Sequence, residues 1–305
     1  MRSAFVATLL LFTCAGFAGK KDLRSPQKFR LERSYAVKNK STTEALAMRV
    51  FIPDVISYQN ARVLQSEYSI QPMEKKPLPN GTEQLTFDLE LAPAEEKNIH
   101  LQWHIELRGF NATAAPGAAE LSGADRERYL KPGKYFESDN AEIAKKTRDV
   151  VGGQPNDLQK ARAIFEFVRA HVAYERFGAD TKGALYALKN RKGDCTEYAA
   201  LIVAMSRAAG IPARLNGVMN LQNDNGSAGT DNHNHAEVYL ADYGWVPAEA
   251  TFKILEFGEM HNAEIIVRRG LWTDTGTGWV SWSIPKKSDK IKEIKLLGHR
   301  WQKLD

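Results

Sequence analysis

Cysteine is nearly absent from this chain of 305 residues, which contains only Cys14 and Cys195. Cys14 falls in a segment that reads as a removable leader, so Cys195 has no partner and a disulfide framework is excluded. Long apolar runs are missing beyond residue 18, and no segment reaches the ~20 residues of a transmembrane span. Acidic residues at alternating loop positions are also lacking. Between Asn223 and Asp231 the only carboxylates are Asp224 and Asp231, so no metal and no cofactor is expected. Aromatic and basic residues do not interleave, and nucleic acid is not an expected partner. No self-similarity at a solenoid period is found. The charge is weakly one-sided, at +5 with 26% charged residues. The run Lys286-Lys287-Ser288-Asp289-Lys290-Ile291-Lys292 reads as a solvated tail or an edge strand rather than a polyanion site.

The first 18 residues have Arg2 followed by apolar residues from Ala4 to Phe17, broken only by Thr8, Thr13 and Gly16. Gly16 at −3 and Ala18 at −1 complete a signal peptide over residues 1–18 and predict a secreted or periplasmic protein. Lipid attachment at Cys14 would need small residues before it, and Leu11-Phe12-Thr13 does not supply them. The remainder, in a chain with 43% hydrophobic residues, predicts two medium cores of an α+β protein. Residues 19–110 read as a β-sandwich-like domain. Ile99, Leu101, Trp103, Ile105 and Leu107 alternate with polar residues, and Leu85, Phe87, Leu89 and Leu91 repeat the pattern after the turn signal Asn80-Gly81. His100 and His104 share a strand face but have no third ligand, so they read as surface residues. Residues 111–135 are taken as a linker, 136–275 as the second domain and 276–305 as a basic C-terminal segment. Asn39, Asn80, Asn111 and Asn225 each open an N-glycosylation triplet, a frequent chance pattern.

In the second domain Leu158, Ala161, Ile164, Phe165, Val168 and Val172 recur at helical spacing behind Pro155 and the caps Asn156 and Asp157. A second helix begins at Cys195, after the turn Arg191-Lys192-Gly193 and the N-cap Asp194, and stops at Gly210-Ile211-Pro212. A thiol at a helix N-terminus is readily ionised, because the unpaired N–H groups favour an anion. Strands are expected at Ala213–Met219, Ala236–Leu240 and Trp245–Pro247, with a polar loop over Asn220–Asn232 that could gate a cleft. A nucleophilic cysteine needs a base, and the base needs an orienting group. Downstream of Cys195 the runs His233-Asn234-His235-Ala236-Glu237 and Trp245-Val246-Pro247-Ala248-Glu249 offer both.

Three blocks together resemble the transglutaminase-like superfamily, in its bacterial exported branch, over about Ala141 to Gly270. They are Gly193-Asp194-Cys195-Thr196-Glu197-Tyr198 with Arg207-Ala208-Ala209-Gly210-Ile211-Pro212; His233-Asn234-His235-Ala236-Glu237-Val238-Tyr239; and Gly244-Trp245-Val246-Pro247-Ala248-Glu249. The resemblance implies a papain-type domain with a nucleophile helix packed on an antiparallel sheet, and the catalytic set Cys195, His233 and Glu249. Two positions depart from the family. His235 stands where the family has tryptophan, so His235 is the alternative base, although the family's spacing to Glu237 selects His233. Glu249 stands where the family has aspartate. Glu237 is read as a structural ion-pair partner, Trp245 as core, and Tyr174 or Tyr186 as the place of an oxyanion helper.

The resemblance implies thiol-dependent acyl chemistry at an amide or peptide carbonyl of a protein or peptide substrate, through a thioester resolved by water or by an amine. The alternative is a binding or scaffold protein that keeps the fold without turnover. The β domain's partner is not readable.

Overall fold

Strand alternation organises the first half of the protein, whose computed structural model describes residues 25–55, 57–78, 81–114, 116–117, 120–176, 178, 180–221, 225–228, 233–270, 281–283 and 292–304. The leader read at residues 1–18, Asn80 of the turn signal, most of the loop before His233 and most of the basic run at 286–292 lie outside the described residues. The chain opens with β1 (Gln27–Asn39), β2 (Leu46–Pro53), β3 (Ala61–Tyr68), β4 (Glu74–Pro77), β5 (Glu83–Leu91) and β6 (Glu96–Leu107). β7 (Phe110–Asn111) leads to α1 (Gly123–Leu130), α2 (Ala141–Val151) and α3 (Asp157–His171). The region around Cys195 comprises β8 (Ala173–Tyr174), α4 (Ala184–Asn190), β9 (Lys192–Gly193) and α5 (Cys195–Ala208). After it come β10 (Ala213–Asn220), β11 (Asn225–Ala228), β12 (His233–Leu240), β13 (Gly244–Ala248), β14 (Glu259–Met260), β15 (Glu264–Arg269), β16 (Ser281–Ser283) and β17 (Lys292–Leu304).

Two sheets, ordered β11-β17-β1-β6-β3 and β16-β2-β5-β4, form the predicted sandwich. Ile99, Leu101, Trp103, Ile105 and Leu107 on β6 and Leu85, Phe87, Leu89 and Leu91 on β5 are all buried in one shared core. The sandwich is not contiguous in sequence. β17 pairs antiparallel with β1 from Lys28↔Leu304 to Asn39↔Lys292, so the C-terminal residues complete the sheet that the N-terminal residues begin. At the start of 111–135, β7 pairs with β14 through Asn111 opposite Glu259, and α1 forms further on with Ser122 Oγ accepting from Asp125 N at 3.1 Å. Only Tyr129 of that helix is buried, which is why no periodicity announced it. Asn39 is buried, and its amide donates to Glu44 O, Leu91 O and Ala92 O, so its glycosylation triplet is closed in the folded protein.

The third sheet, β13-β12-β10-β15, is a wall between two cores. Ala213, Leu215, Ala236, Val238, Leu240 and Val246 pack with α5, α3 and α4. Met219, Ile265 and Val267 instead join the sandwich core. α3 follows its predicted pattern, with Asn156 Oδ1 accepting from Gln159 N at 2.9 Å. Every residue of α5 from Cys195 to Ser206 is buried, so this helix is enclosed on all sides, as its nearly continuous apolar composition requires.

His299 of β17 stands opposite Arg33 of β1, and both are buried. Burial, helped by the Arg33 guanidinium, pushes the His299 imidazole down to about 3. The unfolded chain protonates this residue below about 6.5, so the stability present above that value is lost as the pH falls toward 3. His299→Leu is expected to flatten the acid-side decline by up to about 1.4 kcal/mol per pH unit, measured by urea unfolding between pH 4 and 7. A slope equal to that of the unsubstituted protein would rule this out.

Candidate active site

Gly193 allows the chain to turn tightly into α5. A Cβ there would lie 2.3 Å from Glu197 Cβ, so only glycine fits beneath the capping carboxylate. Asp194 caps the helix, with Oδ1 accepting from Thr196 N at 2.8 Å and Oδ2 from Gly178 N at 3.1 Å. Glu197 reaches back to Asp194 N at 3.2 Å and also accepts from Lys182 N at 2.9 Å, completing a capping box. Burial, with Asp194 close by, raises the Glu197 carboxyl above its ordinary range despite these backbone donors. Cys195 is the first residue of the helix and is 5% exposed.

β12 and β13 bring the other two predicted residues to the thiol. Ala236 pairs with Ala248, which sets His233 near the end of β13 where Glu249 follows. His233 Nε2 and Glu249 Oε2 form a short hydrogen bond, and both residues are buried. Glu249 Oε1 is held by Thr251 N at 2.6 Å and Phe252 N at 3.4 Å, so the extra methylene relative to aspartate is accommodated with both oxygens engaged. The Phe252 ring lies 4.7 Å from the imidazole, centre to centre, and covers it. With Nε2 on Glu249, Nδ1 is the ring nitrogen left for the Cys195 side chain, which lies close enough to raise the imidazole. Burial alone would depress the imidazole. The Glu249 charge and the bonds to Cys195 and Glu249 outweigh it and hold His233 well above its usual value.

His235 lies away from the thiol. Its Nε2 meets Asn216 Nδ2 at 3.3 Å, and its Nδ1 faces Glu264 Oε2 at 3.9 Å, in a buried polar cluster that includes His261, whose Nε2 is 3.3 Å from Glu264 Oε1. Burial opposes ionisation of Glu264, but its histidine neighbours, His261 foremost, lower it to about 2. Glu237 forms a buried pair with Arg214 at 2.7 Å, and the Arg214 guanidinium stacks 3.8 Å from the Trp245 ring centre. Trp245 is therefore a half-buried platform for that pair. The two tyrosines separate. Parallel pairing of Tyr174 with Gly193 sets Tyr174 beside the nucleophile turn, and burial followed by the charges of Cys195 and Asp194 raises its phenol. The Tyr186 ring instead carries Lys182 Nζ at 4.8 Å. Phe252, Thr251 and the His261–Glu264 pair were not singled out from the sequence. Among the described residues no group of three His, Cys, Asp or Glu side chains is placed to hold a metal ion, and no helix is long and apolar enough to cross a membrane.

The raised His233 value fixes a pH window. A histidine raised by folding contributes stability that is complete below about 6.5 and is lost as the pH rises through its folded value. Glu249→Gln is expected to destabilise the protein by about 2 kcal/mol at pH 6 and progressively less at higher pH, measured by denaturant unfolding. A pH-independent difference would contradict the charged pair.

Residues 144–250 match the family model of the transglutaminase-like superfamily. An uncharacterized protein of Haemophilus influenzae is 29% identical over 200 residues, which cover 56% of this chain and 54% of the relative. The chain thus spans about half the length of that curated relative. Among solved structures, a candidate cysteine protease from Cytophaga hutchinsonii superposes with a TM-score of 0.57 at 17% identity, covering 89% of this chain and 98% of its own. That likeness spans both the sandwich and the helical domain and speaks to the fold. The periplasmic domain of TgpA from Pseudomonas aeruginosa gives a TM-score of 0.41 at 13% identity, covering 75% of this chain and 88% of its own. The family match starts in α2 and ends just past Glu249, so residues 144–250 of this chain are similar to the transglutaminase-like superfamily.

Proposed function

We propose that the protein performs thiol-dependent acyl chemistry at amide or peptide carbonyls, with Cys195 as nucleophile, His233 as base and Glu249 as the group that orients the base. The observation that carries this reading is the buried imidazole of His233, bonded to Glu249 and raised by that carboxylate and by the nearby Cys195 side chain. The thiol proton passes to His233 Nδ1, and the thiolate attacks the carbonyl carbon. The tetrahedral oxyanion is held by the Cys195 backbone N–H, with the exposed Tyr174 as the candidate second donor. His233 returns the proton to the leaving nitrogen, the C–N bond breaks, and a thioester with Cys195 remains. Water or a primary amine then attacks the thioester, giving its proton to His233, and the C–S bond breaks to restore the thiolate. Water as acceptor gives deamidation or peptide cleavage, and a lysine amine gives a crosslink.

Glu249 can orient the base as the aspartate of the family pattern would, because both its oxygens are engaged. The substrate reading is a protein or peptide met outside the cytoplasm, reached by export through the leader at residues 1–18.

Two measurements test this reading. Casein peptides incubated with the protein in heavy-oxygen water containing a biotinylated primary amine are expected to gain heavy oxygen or biotin. Cys195→Ala should lower that labelling by ~10³-fold or more. No label with the unsubstituted protein, or equal label with Cys195→Ala, would refute it. The exported protein is expected to begin at Gly19 on N-terminal sequencing, and an intact Met1 would refute the leader.

A further inference from the structure

The base strand and the nucleophile helix meet at a second point that the proposed chemistry does not use. Asn234 Nδ2 donates to Thr196 Oγ1 at 3.0 Å. Asn234 Oδ1 accepts from Arg268 Nη2, also at 3.0 Å. Thr196 directly follows Cys195, and Asn234 directly follows His233, so one side-chain bond ties the neighbour of the nucleophile to the neighbour of the base. The amide orientation is dictated by chemistry. A guanidinium can only donate, so Oδ1 must face Arg268 and the NH2 group must face the hydroxyl.

Gly217 permits this reach. In the central strand β10 it is paired with Asn234 on one side and Arg268 on the other, so no side chain stands between them. Arg268 is buried and is further anchored by a short bond from Nη1 to Gly270 O. The amide therefore sits between a fixed cation and the first turn of α5.

We propose that Asn234, held by Arg268 across Gly217, is a positioning residue that sets the approach of the Cys195 thiol to His233. Asn234 does not touch the reacting atoms. It limits the relative motion of helix and strand, and with it the fraction of time in which thiolate and imidazolium are paired. The proposal rests on the Cys195–His233 reading above, and the experiment separates the two.

The probe is iodoacetamide alkylation of Cys195 across pH 5 to 10, with the unsubstituted protein and with His233→Ala, Asn234→Ala, Thr196→Val and the Asn234→Ala/Thr196→Val double variant. Circular dichroism and thermal melts serve as controls for folding. Loss of the clasp is expected to raise the pH at which the thiolate forms by about one unit, lowering alkylation at pH 6 about tenfold. All curves are expected to converge above pH 9, where the thiolate exists without its partner. The double variant should be no slower than the slower single one, because both substitutions break the same bond. Titration of both single variants at the unsubstituted protein's value overturns the clasp and leaves the triad standing. A loss equal at every pH also overturns it, because that marks altered access rather than altered pairing. If the unsubstituted protein and His233→Ala titrate alike at an ordinary thiol value, the triad reading falls and the clasp with it.

Discussion

The buried N-terminus of α5 is the constraint on which the rest of the structure depends. An enclosed helix end cannot satisfy its first N–H groups with water, so it needs acceptors from the protein itself. Asp194 and Glu197 supply them, and Gly193 supplies the clearance they require. The same arrangement puts Cys195 at the head of the helix. It also sets two capping carboxylates in the same turn as the thiol. Stabilising a thiolate at this point therefore falls to the helix N–H groups and to a cation facing them. In the chemistry proposed above His233, raised by Glu249 and by Cys195 itself, is that cation.

The sheet that carries His233 must then be held rigidly on both faces. Toward the helices it is held by aliphatic packing. On the other side a polar layer contributes, with Arg214–Glu237, Tyr58, Asn60, His235, His261 and Glu264 all buried or nearly so. Asn60 Nδ2 reaches Glu264 O at 2.6 Å, Gln59 Nε2 reaches Trp245 O at 2.9 Å, and Arg269 Nη1 reaches Gly81 O at 2.9 Å. The sandwich is thus hydrogen-bonded to the back of the candidate site. Buried ion pairs contribute little net stability, but their strict geometry admits few alternative packings. Here that geometry orients one domain on the other. Arg214 shows how this is achieved: burial disfavours its charge, Glu237 outweighs that cost, and the guanidinium stacks on the Trp245 ring.

Much of the site was legible in the chain because it is built from short local signals. Asp194 reads as a cap, Gly193 as a turn, and Gly210-Ile211-Pro212 as a stop. Strand period two marked β5 and β6, and the expected strands at Ala213–Met219, Ala236–Leu240 and Trp245–Pro247 overlap β10, β12 and β13. The choice between His233 and His235 illustrates the limit. Both sit at alternate positions of one strand, and family spacing rather than periodicity favoured His233. The structure puts His233 on Glu249 and His235 on Asn216. That difference comes from the neighbouring strands, since β13 ends opposite Ala236 and Glu249 follows it to reach His233, while Asn216 of β10 stands opposite His235.

By itself the sequence determined whatever depends on a few consecutive residues: the thiol at a helix head, the amphipathic α3, and the alternation of the sandwich strands. Only the tertiary structure decided that the last strand closes the sheet begun by the first, that α1 forms inside an apparent linker, and that Arg268 reaches Asn234 across Gly217. Each of these is a pairing between residues far apart in sequence. Backbone hydrogen bonds carry no residue code, and a bond between side chains on three adjacent strands depends on register, which is set by the packing of the whole sheet.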